Sequence, residues 1–404
     1  MKQYPNIVFV TTVSLATNPR LVKEVDLALS LSYRVSIVAF RFDNWSASLN
    51  EQIINRYRQR VHYVEIAAGR RPLFPWLFSS VLHQCCLVLA KAGLHYPFIL
   101  SQALQKRTVL LLNALKKLRQ PADLIVAHNP GSFYPVMQWA KRRKILYGID
   151  VEDYHSGETN DKIAAAWMRR LMVQTIPGAA YVTAAAPLIL DYVKRDCGTP
   201  FPPAAVVLNY FHSDEFCPPV SAAADGPLRL VWFSQYIAAG RGLEMVIEVI
   251  RRISGVQLHL YGQPDNRFVK NILESVENVF VHGPIEQKEL HMQLASYDIG
   301  LAIEDASSNL NRDLCITNKL LAYKQAGLII LMTATSAQKK MAQQYPEQCV
   351  LVDFELQSLI SALNYIKGKK SEIGKLKQEF FNLSANENSK TELDKLCSIW
   401  SVVL

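Results

Sequence analysis

The chain has 404 residues, too many for one ordinary hydrophobic core, so two domains are expected. Half of the residues are hydrophobic and a fifth are charged, the composition of a folded protein rather than a disordered one. The net charge of +9 suits a nucleic acid, an anionic membrane surface or a phosphorylated ligand. No Lys/Arg-rich block is interleaved with aromatics, and no helix-turn-helix or zinc-finger spacing occurs, so a nucleic-acid partner is not expected.

At the N-terminus the apolar stretch Ile7 to Val10 is too short for a signal peptide and reads as a first strand. The first half then alternates short apolar runs with helical periodicity, the signature of βαβ units and a parallel sheet. Strands are predicted at Ile7–Thr12, Val35–Phe40, His62–Ile66, Leu124–Ala127, Ile145–Val151, Tyr181–Ala184 and Ala205–Leu208. A helix is predicted from Pro19 to Ser30, and a long helical region from Pro75 to Leu118.

Within that region, Leu73 to Ala90 is about as long as a membrane span. Pro75, Ser79, Ser80, His83 and Gln84 interrupt it, and Arg70, Arg71 and Lys91 flank it. Two readings stand side by side: a core helix of the first domain, or an amphipathic helix resting on the anionic inner face of a membrane.

Residues 216–228 are rich in Pro, Ala and Gly without periodicity and read as a linker. A second series follows, with strands at Leu230–Phe233, Leu258–Tyr261, Val279–Val281, Ile299–Ile303, Leu328–Met332 and Cys349–Val352. The expected organisation is therefore a first α/β domain over 1–215, the linker, a second over 229–385, and a helix over 386–404 returning to the first. Both domains are expected to be doubly wound parallel sheets facing across a cleft, with ligands beyond the carboxyl ends of the strands.

Cysteines stand at Cys85, Cys86, Cys197, Cys217, Cys315, Cys349 and Cys397. Their odd number and irregular spacing, with no C-x-x-C pair, point to free thiols in a reducing cytoplasm rather than a disulfide framework or zinc site.

Three stretches carry chemistry. Thr17-Asn-Pro-Arg-Leu-Val-Lys-Glu24 opens a helix after the first strand. Val231 to Glu244, containing Gly240-Arg241-Gly242, begins the second domain. Glu304, Asn311-Arg312 and Ile316-Thr-Asn-Lys-Leu-Leu-Ala-Tyr-Lys-Gln-Ala-Gly327 lie near its end. An Arg between glycines after a strand, and a helix beginning at Thr317-Asn318, are means of neutralising a diphosphate with a cation and free backbone amides.

In order and spacing these stretches resemble the retaining GT-B glycosyltransferases of the GT4 type. The resemblance implies transfer of a sugar from a UDP- or GDP-linked donor to a hydroxyl of a glycan or lipid-linked acceptor, without a metal or other cofactor. It places Arg241, Gly262, Arg312, Thr317, Asn318 and Lys319 at the donor, with Gln235 where relatives often carry a second basic residue. Glu304 matches the first carboxylate of the family's Glu-x7-Glu motif, near the transferred sugar, and Ala322 stands where the second Glu is usual. His128, at a strand end in Ala127-His-Asn-Pro130, is placed near the reacting centre. Arg20, Asp153, His155 and Glu158 are placed on the acceptor side, with Glu152 and Lys23 nearby. Two alternatives remain: a sugar-nucleotide epimerase of the same fold, using Asp153 with His128, and a catalytically degenerate binding subunit.

Overall fold

The computed structural model describes residues 4–44, 46–220, 226–270 and 276–404. The chain divides into two compact units, Met1–Val207 with Leu393–Leu404, and Leu208–Glu392.

In the first unit the strands are β1 (Asn6–Thr11), β2 (Arg34–Arg41), β3 (Val61–Ala67), β4 (Leu124–His128), β5 (Leu146–Val151), β6 (Tyr181–Ala184) and β7 (Ala204–Val206). They form one parallel sheet in the order β3-β2-β1-β4-β5-β6-β7. Its helices are α1 (Pro19–Ser30), α2 (Ala47–Tyr57), α3 (Leu73–Lys91), α4 (Pro97–Leu104), α5 (Thr108–Lys117), α6 (Pro130–Arg143), α7 (Lys162–Thr175) and α8 (Pro187–Cys197). Every residue of β1 and β4 is buried, as expected of central strands covered on both faces.

The single helical region predicted from Pro75 to Leu118 is three helices. Gly93, at φ +90°, follows the end of α3, Pro97 opens α4, and an extended Gln105 separates α4 from α5. Helical periodicity persists across such breaks, which is why the sequence reads as one region.

The second unit contains β8 (Leu228–Ile237), α9 (Leu243–Arg252), β9 (Val256–Pro264), the short α10 (Asn266–Phe268), β10 (Val279–His282), α11 (Gln287–Leu294) and β11 (Ile299–Ala302). There follow α12 (Leu310–Leu314), α13 (Asn318–Gln325), β12 (Ile329–Thr333), α14 (Ser336–Gln344), β13 (Cys349–Val352), α15 (Leu356–Gly368) and α16 (Lys370–Ser384). The last helix, α17 (Ser389–Val403), begins in this unit. The parallel sheet has the order β10-β9-β8-β11-β12-β13. Successive residues of β8 feed opposite cores: Leu230 and Trp232 join one cluster with α9 and α15, while Val231 joins another with α13.

The division between units falls earlier than the sequence suggests. Residues 208–215 belong to the second unit because Tyr210 and Phe211 enter its core. The side chain of Gln325 also accepts from the amide of Phe211 at 2.9 Å and donates to its carbonyl at 3.0 Å. The predicted linker is likewise part of that unit at Phe216, which is buried, and at Val220, whose amide donates to the Ala295 carbonyl. Residues 221–225 lie outside the described residues. Leu396 and Trp400 of α17 are fully buried in the first unit's core, where the Trp400 indole donates to the Tyr181 hydroxyl at 2.9 Å.

Candidate functional site

In each sheet the chain winds outward from its first strand in both directions, leaving a reversal point between β1 and β4 and between β8 and β11. Loops at the carboxyl ends of such strand pairs diverge and leave a crevice. In the second unit a cavity of about 250 Å³ lies there, lined by the loop after β8 (Gly240, Arg241, Gly242), by Ile303, Glu304 and Asp305 after β11, and by Arg312 and Phe354.

The loop's shape follows from its glycines. Gly240 and Gly242 have φ near +74° and +75°, and a Cβ on Gly242 would sit 2.7 Å from Cγ2 of Ile303. The Gly240 amide donates to the Glu244 carboxylate at 2.8 Å, which fixes the turn. Arg241 is held between them, exposed, and makes no ion pair among the described residues. Glu304 is pinned through its backbone, its amide donating to Thr333 Oγ1 and its carbonyl accepting from the same hydroxyl. Its carboxylate lies 3.1 Å from Nζ of Lys319, which also sits 5.0 Å over the Trp232 ring. Asp305 accepts from the Ser307 hydroxyl and amide, and these bonds, with the charge of Arg312, hold its carboxyl below its ordinary range. Arg241, Arg312 and Lys319 thus face Glu244, Glu304 and Asp305. The charges balance, so an anion would be held by placement rather than by a net positive field.

The other expected donor residues do not line this cavity. Thr317 is the N-cap residue of α13, but its hydroxyl does not cap the helix and is buried without a hydrogen-bond partner among the described residues. The first-turn amides are accordingly left without a side-chain cap. Asn318 is exposed and accepts from the Asn209 side chain at 3.0 Å. Gln235 was expected after its strand, but β8 continues to Ile237, with a register irregularity between Phe233 and Tyr236. Gly262 lies inside β9 rather than beyond it. Its φ is +145°, and a Cβ there would stand 2.2 Å from the Ser234 carbonyl oxygen, so close backbone approach accounts for this glycine. Ala322 is fully buried in the core with Leu321 and Tyr323.

The first unit's reversal point is filled by its own side chains. Arg20 was expected on the acceptor side, yet it is 8% exposed, with Nε donating to Asp150 Oδ2 at 2.8 Å and a terminal nitrogen to Oδ1 at 2.6 Å. A third bond goes to the Val207 carbonyl, and Thr183 donates to Asp150 at 2.6 Å. His128, expected near the reacting centre, has no exposed surface. Its Nε2 is 3.3 Å from Glu24, and its Nδ1 is 3.4 Å from both Asp150 and Glu152. Burial alone would lower its pKa, but the surrounding carboxylates, Glu24 foremost, hold it well above 6.5. Burial raises the Glu24 pKa against the pull of His128; burial also pushes that of Asp150 up, but Arg20 and His128 together depress it. His128 in this arrangement is an enclosed imidazolium that positions its neighbours.

His155 is also buried, 2.7 Å from the exposed Glu158 and edge-on to Phe133, while its Nε2 has no hydrogen-bond partner among the described residues. Burial lowers its pKa, and Glu158, Asp153 and Glu152 raise it further than that. Asp153 is half-buried beside it.

Sequence reasoning did not single out Glu24 or Asp150. Asp150 carried a signal, as an acid inside the apolar run of β5, a position that demands a buried partner. Glu24, His128 and Asp150 also lie close enough together to hold a metal ion. Both oxygens of Asp150 already accept from Arg20, whose guanidinium supplies the positive charge that a cation would bring, so the donor set fits an ion network better than a metal.

No protein-family profile matches the chain, and no curated relative matches it. Solved structures do. Anabaena HepE in complex with UDP and glucose is 13% identical with a TM-score of 0.65, the alignment covering 99% of this chain and all of that one. Medicago truncatula UGT71G1 complexed with UDP-glucose is 11% identical with a TM-score of 0.62, covering 99% of each chain. The Candida albicans trehalose-6-phosphate phosphatase N-terminal domain is 12% identical with a TM-score of 0.63, covering 99% of this chain and 97% of that one. The chain therefore has the two-sheet α/β architecture of GT-B glycosyltransferases over its whole length.

Proposed function

We propose that the protein is a glycosyltransferase that takes a sugar from a nucleotide diphosphate, with UDP as the donor nucleotide. The observation that carries this reading is the cavity at the β8/β11 reversal, where Arg241 has no ion pair among the described residues and stands beside the Glu304–Lys319 pair. The UDP and UDP-glucose bound by solved structures of the same fold supply the choice of nucleotide.

In this reading Arg241 and Arg312 hold the diphosphate, and Glu304, paired with Lys319, contacts the sugar. The bond between the anomeric carbon and the diphosphate breaks with its electron pair leaving on the phosphate oxygen. The acceptor oxygen takes the anomeric carbon on the same face, and its proton passes to the departing phosphate. A retaining, metal-independent reaction of this kind needs no strong side-chain base, which suits an enclosed His128. The acceptor is a glycan or lipid-linked hydroxyl, and the seven cysteines, none in a disulfide, fit a cytoplasmic enzyme.

Thermal denaturation of the full chain with UDP, UDP-glucose, GDP and GDP-mannose tests the reading. A ligand at 100 times its Kd adds about 2.7 kcal/mol of stability, and the uridine compounds are expected to raise the midpoint. No response to any nucleotide would remove the donor assignment. Stabilisation by UDP-glucose with no UDP release on any glycan or lipid-linked acceptor would instead mark a subunit that binds a nucleotide sugar without transferring it.

A further inference from the structure

Helix α3 presents to solvent what a folded domain ordinarily hides. Phe74 is 79% exposed, Leu73 65%, Val81 56% and Val88 67%, and Leu77 and Phe78 are about half exposed. Their three- and four-residue spacing puts them on one side of the helix, a stripe about 22 Å long at 1.5 Å per residue. The opposite side is committed to the protein. Ser79, Cys86 and Ala90 are buried, the Gln102 amide of α4 donates to the Ser79 carbonyl, and His83 Nδ1 lies 2.8 Å from the Gln102 carbonyl. A helix fastened in this way along one side cannot offer lipid its whole circumference. It is suited to lying in an interface, not to crossing one.

Within the segment that carries the stripe, the charge has a single sign. From Ile66 to Ala122 the sequence contains Arg70, Arg71, Lys91, Lys106, Arg107, Lys116, Lys117 and Arg119, and no Asp or Glu. Two of these cations are gathered at the stripe's N-terminal end, Arg70 5.5 Å and Lys106 4.2 Å over the Trp76 ring. Beyond the C-terminal end, Lys91 is exposed, Leu94 is 41% exposed and Tyr96 67%. Aromatic rings with polar tips and flanking cations are what the headgroup region of a bilayer favours.

We propose that α3 and the loops at its two ends form a docking surface for an anionic lipid bilayer, with the helix axis in the plane of the membrane. A second copy of the chain fits the same surface poorly. Two-fold pairing of the stripe brings Arg70 and Arg71 of each copy against Lys91 of the other, or against themselves, with no acid in the segment to neutralise them. The donor-site assignment plays no part in this inference, and its readout is lipid binding rather than sugar transfer.

The test is flotation of the full chain with vesicles of phosphatidylglycerol mixed with phosphatidylcholine, against vesicles of phosphatidylcholine alone. The chain should float with the anionic vesicles and be released by high salt, since each Lys or Arg near an anionic surface strengthens binding about fivefold. The double substitution Phe74→Ser with Phe78→Ser, both at exposed positions, should reduce flotation at least tenfold while leaving the thermal midpoint unchanged. Arg70→Glu with Arg71→Glu should lower binding to anionic vesicles only. Failure of the parent to float, or equal flotation of parent and Phe variants, overturns the proposal. So does retention after high salt and alkaline carbonate, which marks a spanning helix. A parent dimer that the Phe substitutions dissociate would also overturn it, by giving the stripe to a second copy.

Discussion

The two units share a winding pattern and treat its reversal point in opposite ways. In the first, Arg20, Asp150, His128 and Glu24 fill the ends of β4 and β5 with charges paired to one another. In the second, glycines hold the loop after β8 open, and Arg241 is left facing a cavity. The topology creates the crevice. Whether it binds a ligand depends on whether the side chains there have already found partners.

The strongest way to break this contrast is Asp150→Ala, which strands the Arg20 guanidinium in the interior. A loss of about 3–5 kcal/mol is expected, read by urea denaturation, and nucleotide should not restore it. Arg241→Ala should do the reverse. The unliganded protein keeps its thermal midpoint, while the stabilisation of about 2.7 kcal/mol expected from saturating nucleotide diphosphate disappears. If nucleotide stabilises this variant as it does the parent, the open site lies elsewhere. Gly262→Ala forces a side chain against the Ser234 carbonyl at positive φ and should cost about 1–3 kcal/mol, with nucleotide affinity changed less than by Arg241→Ala.

The smallest expected effect is on pH dependence, and its sign differs between units. His128 has a raised pKa, so its contribution is complete below 6.5 and is lost as pH rises through the elevated value. His259, 3.0 Å from His282, is lowered to about 4 by burial, Arg229 and His282. Its contribution is present above 6.5 and is lost as pH falls toward 4. Hydrogen exchange followed by peptide should show β4 and β5 loosening first in alkali, and β9 and β10 first in acid. The same order in both limbs would refute the assignment.

Strand positions were legible because buried parallel strands are short apolar runs bounded by polar loops, and each predicted run coincides with an observed strand to within a few residues. The extension of β8 to Ile237 was not legible, since Gln235 and Tyr236 are exposed and break the apolar pattern. Arg241 and Glu304 were placed at one site by the resemblance, and both follow strands that are neighbours in the sheet. The enclosure of His128 could not be read, because Glu24 and Asp150 come from distant segments that only the folded sheet brings together. Arg20 misled for the same reason: a cation on a helix near a strand end reads as available until its partner is known.

Residues 393–404 complete the first unit's interior, with Trp400 hydrogen-bonded to Tyr181. The first unit therefore cannot close its own core without a segment that lies beyond the second unit in the sequence. A chain cut before Leu393 should leave Met1–Val207 open to proteases while Leu208–Glu392 stays resistant.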